Sequence, residues 1–150
     1  MSALQALSPN PVPPPRGPEL LDLIGPLAGA HVLVIGPGAL ETVCGLIRRG
    51  CAAAAEVPDP MRGLPDAEEA DAVLVPAVAS LTQAWAAVVL AKRVLSMAGR
   101  IALRDASFRL GPQLAALLRV QGFCAVRTRQ TPEGTVLSGA LPLFGPRLLP

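Results

Sequence analysis

The chain has 150 residues, 51% of them hydrophobic, 16% charged and 3% aromatic, the make-up of one packed domain rather than a disordered, strongly charged or multidomain chain. A net charge of +2, no tyrosine, three phenylalanines and one tryptophan disfavour nucleic acid, which needs a basic surface or aromatic stacking platforms. Cys44, Cys51 and Cys124 form no CxxC pair and have no metal-ligand spacing with histidine or acids, so reduced thiols, no metal and, without a basic-then-apolar start, a cytoplasmic setting are expected.

Residues 1–18 read as a flexible leader, because Pro9, Pro11, Pro13, Pro14, Pro15 and Pro18 remove amide donors and favour an extended backbone. Residues 19–150 then read as a single domain. Glu19 to Leu27 predicts a short helix with Leu20, Leu23, Ile24 and Leu27 on one face, able to pack on the core as a lid. His31-Val-Leu-Val-Ile35 predicts a buried strand. After Gly36-Pro37-Gly38 comes a helix with Leu40, Val43, Cys44, Leu46 and Ile47 at its apolar positions, closed by Gly50.

Cys51 to Ala55 is expected as the next strand by its place after a βα unit, since alanine itself is a poor strand former. Val57 to Ala70 contains three prolines and no periodic run, and reads as loop. Asp71 to Val75 predicts a strand stopped by Pro76. Ser80 caps a helix over Leu81 to Met97 with Leu81, Trp85, Val88, Val89 and Leu95 apolar, and Gly99 closes it. The stretch Leu81 to Ala98 is of marginal length for a membrane span and carries Gln83, Lys92 and Arg93, so an amphipathic helix is expected instead. Ile101 to Leu103 is the next strand, and Leu110 to Gln121 a helix with Leu114, Leu117 and Leu118 inward. Phe123 to Arg129 and Thr135 to Leu141 form an antiparallel hairpin around Thr131-Pro-Glu-Gly134. The alternation predicts an α/β fold, a Rossmann-like three-layer sandwich whose mostly parallel sheet ends in that hairpin.

Five of these segments resemble, in order, the motifs of class I S-adenosylmethionine-dependent methyltransferases. Val32-Leu-Val-Ile-Gly36-Pro-Gly38 is similar to the first strand and its glycine turn. Glu56 stands where the family has an acid ending its second strand. Leu64-Pro65 followed by Asp71-Ala-Val-Leu-Val75 resembles the fourth-strand region, Arg93-Val-Leu-Ser-Met-Ala-Gly-Arg-Ile101 the passage into the fifth, and Leu117-Leu-Arg-Val-Gln-Gly122-Phe123 the last helix entering the terminal hairpin. The resemblance covers about residues 28 to 141 and implies S-adenosylmethionine as cofactor, with Gly36, Pro37, Gly38, Glu56 and Pro76 around it. Glycines let the backbone approach a ligand closely, a helix N-terminus offers free amides, and a carboxylate accepts both hydroxyls of a ribose. A tight turn and a surface glutamate with no ligand is the alternative for the same residues.

The chain departs from that family in four places. Val34 stands where an acid usually orients the methionine end of the cofactor, and Leu40 where a third glycine is usual. Only 14 residues separate Glu56 from Asp71, too few for a helix and another strand, so the sheet edge after the second strand is expected to be shortened. Val75-Pro76-Ala77-Val78 lacks the amide or carboxylate that amino-methylating relatives carry. His31 opens the first strand, at the far end of the sheet from the glycine turn, and is read as structural. Asp105 is the one acid placed near a substrate, with Arg104 and Arg109 beside it, though its position favours a solvated loop carboxylate over a catalytic one. Two functions follow: a cofactor-binding methyltransferase-like protein of unknown substrate, or a catalytically inactive member acting as a partner. The second would pair, as a homodimer or with another protein, through the exposed sheet edge. A dinucleotide or phosphate site fits least, since Glu41 fills the third glycine of GxGxxG and no GK[ST] occurs.

Overall fold

A computed structural model describes residues 18–36, 39–62 and 69–143. In chain order these form α1 (Pro18–Ile24), β1 (His31–Ile35), α2 (Ala39–Arg48), β2 (Ala53–Val57), a 3-10 turn (Pro60–Arg62), β3 (Ala70–Val75), α3 (Leu81–Val94), β4 (Leu95–Asp105), α4 (Gly111–Val120), β5 (Cys124–Thr131) and β6 (Gly134–Ala140). Residues 1–17 of the proline-rich leader, Pro37, Gly38 and Leu64-Pro65 lie outside the described residues, while Pro18, placed in the leader by the sequence, opens α1.

One six-stranded sheet has the order β2-β1-β3-β4-β6-β5. The first four strands are parallel, and β6 runs antiparallel between β4 and β5. Alternation along the strands splits the core in two. Val32, Val34, Leu74, Ala102 and Val136 pack with Leu20, Ile24 and Leu46 of α1 and α2. Leu33, Ile35, Val73, Ile101 and Leu137 face α3 and α4 through Val88, Leu114 and Leu118. The result is the expected three-layer α/β sandwich with its terminal hairpin. Between β2 and β3 the described residues hold only the 3-10 turn, so β2 ends the sheet.

Several elements differ from expectation. α1 is no lid: Leu20, Leu21, Ile24 and, just after it, Leu27 are buried, and Arg100 of β4 donates from Nη1 to the Ile24 carbonyl and from Nη2 to the Pro26 carbonyl at 2.8 Å, satisfying the helix's last carbonyl and one in the turn beyond it with a cation. Over residues 40–48 of α2, where burial is described, only Leu46 is fully buried. Leu40, Cys44 and Ile47 are exposed, because a helix resting on the edge of a sheet has a narrow inward stripe. Cys124 is exposed at the start of edge strand β5.

α3 begins as predicted, with the Ser80 hydroxyl accepting from the Gln83 amide at 3.2 Å and the Gln83 side chain accepting from the Ala79 amide at 2.8 Å. It ends at Val94 rather than Met97, because Leu95 pairs with Ala70 of β3 before a bulge delays the next partners, Ala72 and Arg100. Here strand pairing overrides helix propensity. The buried face of α3 is made by Ala84, Ala87, Val88, Leu90, Ala91 and Val94, while Trp85 and Leu81 are exposed. The hairpin turn closes on Thr131, whose hydroxyl donates to the Gly134 carbonyl at 2.8 Å.

Candidate site at the carboxyl ends of the strands

Parallel strands leave their carboxyl ends side by side, and in an open α/β sheet that edge is where ligands bind. The chain places four of the sequence-derived candidates there: Gly36 directly after β1, Glu56 at the penultimate position of β2, Pro76 directly after β3 and Asp105 at the end of β4.

Gly36 is buried and has φ +116°, a backbone shape that disfavours any residue with a Cβ. Its amide donates to the Val57 carbonyl at 2.8 Å, which binds the turn to β2. Among the described residues a Cβ placed on it would meet nothing nearer than the Ala77 carbonyl at 3.8 Å. Glu56 pairs in register with Val34, two residues before Gly36. It is exposed, and among the described residues its carboxylate has no hydrogen-bond or ion-pair partner.

Pro76 is buried, and its carbonyl accepts from Arg104 Nε at 3.0 Å. The same guanidinium reaches Glu133 Oε2 of the hairpin turn at 2.9 Å, with only 18% of the arginine side chain and 33% of the glutamate exposed. Pro76 therefore belongs to a clamp joining β3, β4 and the hairpin. The sequence reading missed that clamp because its members lie 28 and 29 residues apart and no local motif announces them.

Asp105 is not a solvated carboxylate. It is fully buried; Oδ1 accepts from the Ser107 amide at 2.9 Å and the Ser107 hydroxyl at 2.6 Å, and Oδ2 from the Leu110 amide at 2.8 Å. Burial pushes its carboxyl up, but the bonds from the Ser107 hydroxyl and from the backbone of Leu110, Ser107 and Arg109 outweigh it and hold the group below its ordinary value. Leu110 at the start of α4 has no side-chain cap of its own, so Asp105 serves as that cap. Both of its oxygens are engaged, which leaves it no free geometry for a substrate proton.

His31 is exposed at the opposite end of β1, where its backbone amide donates to Asp71 Oδ2 at 2.8 Å. Val34, at the family's acid position, is fully buried with Leu20 and Ile24 of α1. Among the described residues no cluster of three or more metal-binding side chains occurs, and no helix is long and apolar enough to cross a membrane. Outside the strand ends, Leu81, Trp85, Gln113, Leu117 and Val120 line an open groove of about 480 Å³ between α3 and α4.

No family model matches the chain, and no curated protein does. Solved structures do. A SAM-dependent O-methyltransferase from Thermotoga maritima superposes with a TM-score of 0.65 at 10% identity, over 95% of this chain and 71% of that one. An O-methyltransferase family protein from Burkholderia thailandensis gives 0.64 at 14% identity, over 83% and 55%. The 16S rRNA N2 G1207 methyltransferase RsmC of T. thermophilus, solved with AdoMet and guanosine, gives 0.63 at 21% identity, over 90% and 45%. The chain thus spans about half the length of two of these proteins, and its fold is that of the class I S-adenosylmethionine-dependent methyltransferases.

Proposed function

We propose that this protein binds S-adenosylmethionine at the carboxyl ends of β1 and β2, chiefly through the adenosine half of the molecule. The observation that carries the reading is one pair: the left-handed turn at Gly36 and, on the neighbouring parallel strand, the exposed carboxylate of Glu56. Glu56 accepts the two ribose hydroxyls, and the Gly36 turn keeps the backbone clear of them. The fold shared with solved SAM-dependent methyltransferases supports the choice of ligand. The residues fit the methionine half poorly, because Val34 is sealed in the core where an acid would meet the ammonium group.

When bound, S-adenosylmethionine supplies an electrophilic methyl group on its sulfonium. This chain's own contribution to transfer is then positioning, which accelerates reaction of an already reactive nucleophile without a base. A second reading, a cofactor-binding or cofactor-free partner protein without turnover, is favoured by the commitment of Asp105 to α4 and by the buried Val34.

Isothermal titration with S-adenosylmethionine and S-adenosylhomocysteine tests the first reading. Binding is expected for both, and Glu56→Ala should weaken it about ten-fold or more, the loss of charge-assisted hydrogen bonds worth about 1.5–3 kcal/mol, with the melting temperature unchanged. No heat and no thermal shift at millimolar ligand would leave only the partner reading.

A further inference from the structure

We propose that two copies of this chain pair through the free edges of β2, antiparallel and centred on Ala55, to make one continuous twelve-stranded sheet. β2 ends the sheet, Ala53, Ala55 and Glu56 are exposed, and among the described residues no other strand lies on its outer side. The strand is short and carries one exposed charge, Glu56, but has no lysine, proline or bulge to block pairing within Ala53–Val57.

The register follows from which groups are free. Ala53 donates to the Ala30 carbonyl, and Val57 accepts from the Gly36 amide; in a parallel pair alternate residues face the partner, so Ala53, Ala55 and Val57 bond to β1. The N–H and C=O of Ala54 and Glu56 therefore point outward. Antiparallel pairing centred on Ala55 sets Ala54 opposite Glu56 of the second copy, and the reverse, so all four outward donors and acceptors of each strand segment are satisfied.

The neighbouring registers fail. Centring on Ala54 calls on the amide of Ala52, already bonded to the Ala30 carbonyl at 2.8 Å. Centring on Glu56 sets two carboxylates directly opposite and brings Pro58, which has no donor, against Ala54. At the two-fold, Ala55 meets Ala55 in a non-hydrogen-bonded pair, where Cα atoms approach to about 4.5 Å and a small side chain suits. Exposed Leu40 and Ile47 on α2 and Met61 after β2 supply apolar surface on the elements flanking the seam. A five-residue seam is small, so the association is weak and concentration-dependent. It does not rest on the cofactor reading.

Sedimentation equilibrium on the full chain, in a series reaching about 1 mM, the weak end of the affinity scale, should show reversible dimers. Ala54→Pro removes only an outward donor and should give a monomer with an unchanged circular dichroism spectrum. With Cys44, Cys51 and Cys124 replaced by serine, Ala55→Cys should form a disulfide-linked dimer on oxidation, the Cα spacing being within disulfide range, and Ala53→Cys should not. A wild type monomeric throughout, a dimer that survives Ala54→Pro, or equal cross-linking from positions 53 and 55 would overturn the pairing.

Discussion

Asp105 and Glu56 are both acids at the ends of parallel strands, and their surroundings give them opposite roles. Asp105 is enclosed by donors from Ser107, Arg109 and Leu110, whereas Glu56 stands exposed on the edge strand. Asp105→Asn leaves one of those donors facing an amide that cannot accept, and should cost about 1–3 kcal/mol in urea unfolding at neutral pH. Because the folded carboxyl lies below its ordinary value of 3.8, its stabilisation is complete above that value and is lost as pH falls through the lowered one. The gap between wild type and variant should narrow accordingly in acid. A gap independent of pH would contradict the charged cap. The sequence placed both acids at strand ends, by counting from the glycine turn and the buried runs. It could not rank them, because ranking depends on which backbone amides converge on each carboxylate, and that is settled only when the loop to α4 closes.

At the scale of elements, the buried strands were readable because β1 and β3 are continuous apolar runs bounded by glycine or proline, a pattern that two helix-covered faces impose. The helices were harder. Of the apolar residues named on α3, Trp85 and Leu81 are exposed, and Ala84, Ala87 and Ala91 share the buried face with Val88, Leu90 and Val94, since a helix packed closely on a sheet favours small side chains. The start of β4 was hidden because Leu95 to Ala98 continues a good helical run and only pairing with Ala70 ends it. The attachment of α1 was likewise invisible, as Arg100 lies 76 residues from Ile24. Arg100→Ala should free the Ile24 carbonyl that ends α1 and the Pro26 carbonyl after it, and lower stability by about 1–3 kcal/mol. Hydrogen exchange should lose protection over Leu20 to Leu27 while α3 and α4 keep theirs, and Arg100→Lys should restore part of it. Uniform loss across all helices would show that Arg100 supports the sheet rather than the helix.

For the whole molecule, the shortened edge that follows from 14 residues between Glu56 and Asp71 links the two proposals. The strand that carries Glu56, the proposed ribose acid, is also the strand that has no outer neighbour among the described residues. In the two proposals the Glu56 side chain serves the ligand and the strand's outer edge the second copy, so the two tests are separable: Ala54→Pro should abolish pairing and keep ligand binding, and Glu56→Ala the reverse. The fold was accessible from motif order, and with it the edge at which every parallel strand ends. What the site does was not, because the Arg104 clamp and the buried Val34 are products of long-range packing. The most direct test of the cofactor reading is an NMR titration of the isotope-labelled chain with S-adenosylhomocysteine. Saturable shifts should centre on the amides of Gly36, Glu56, Val57 and Ala77 and be reproduced in large part by adenosine alone. The absence of shifts at millimolar ligand, or shifts confined to the groove around Trp85, would contradict it.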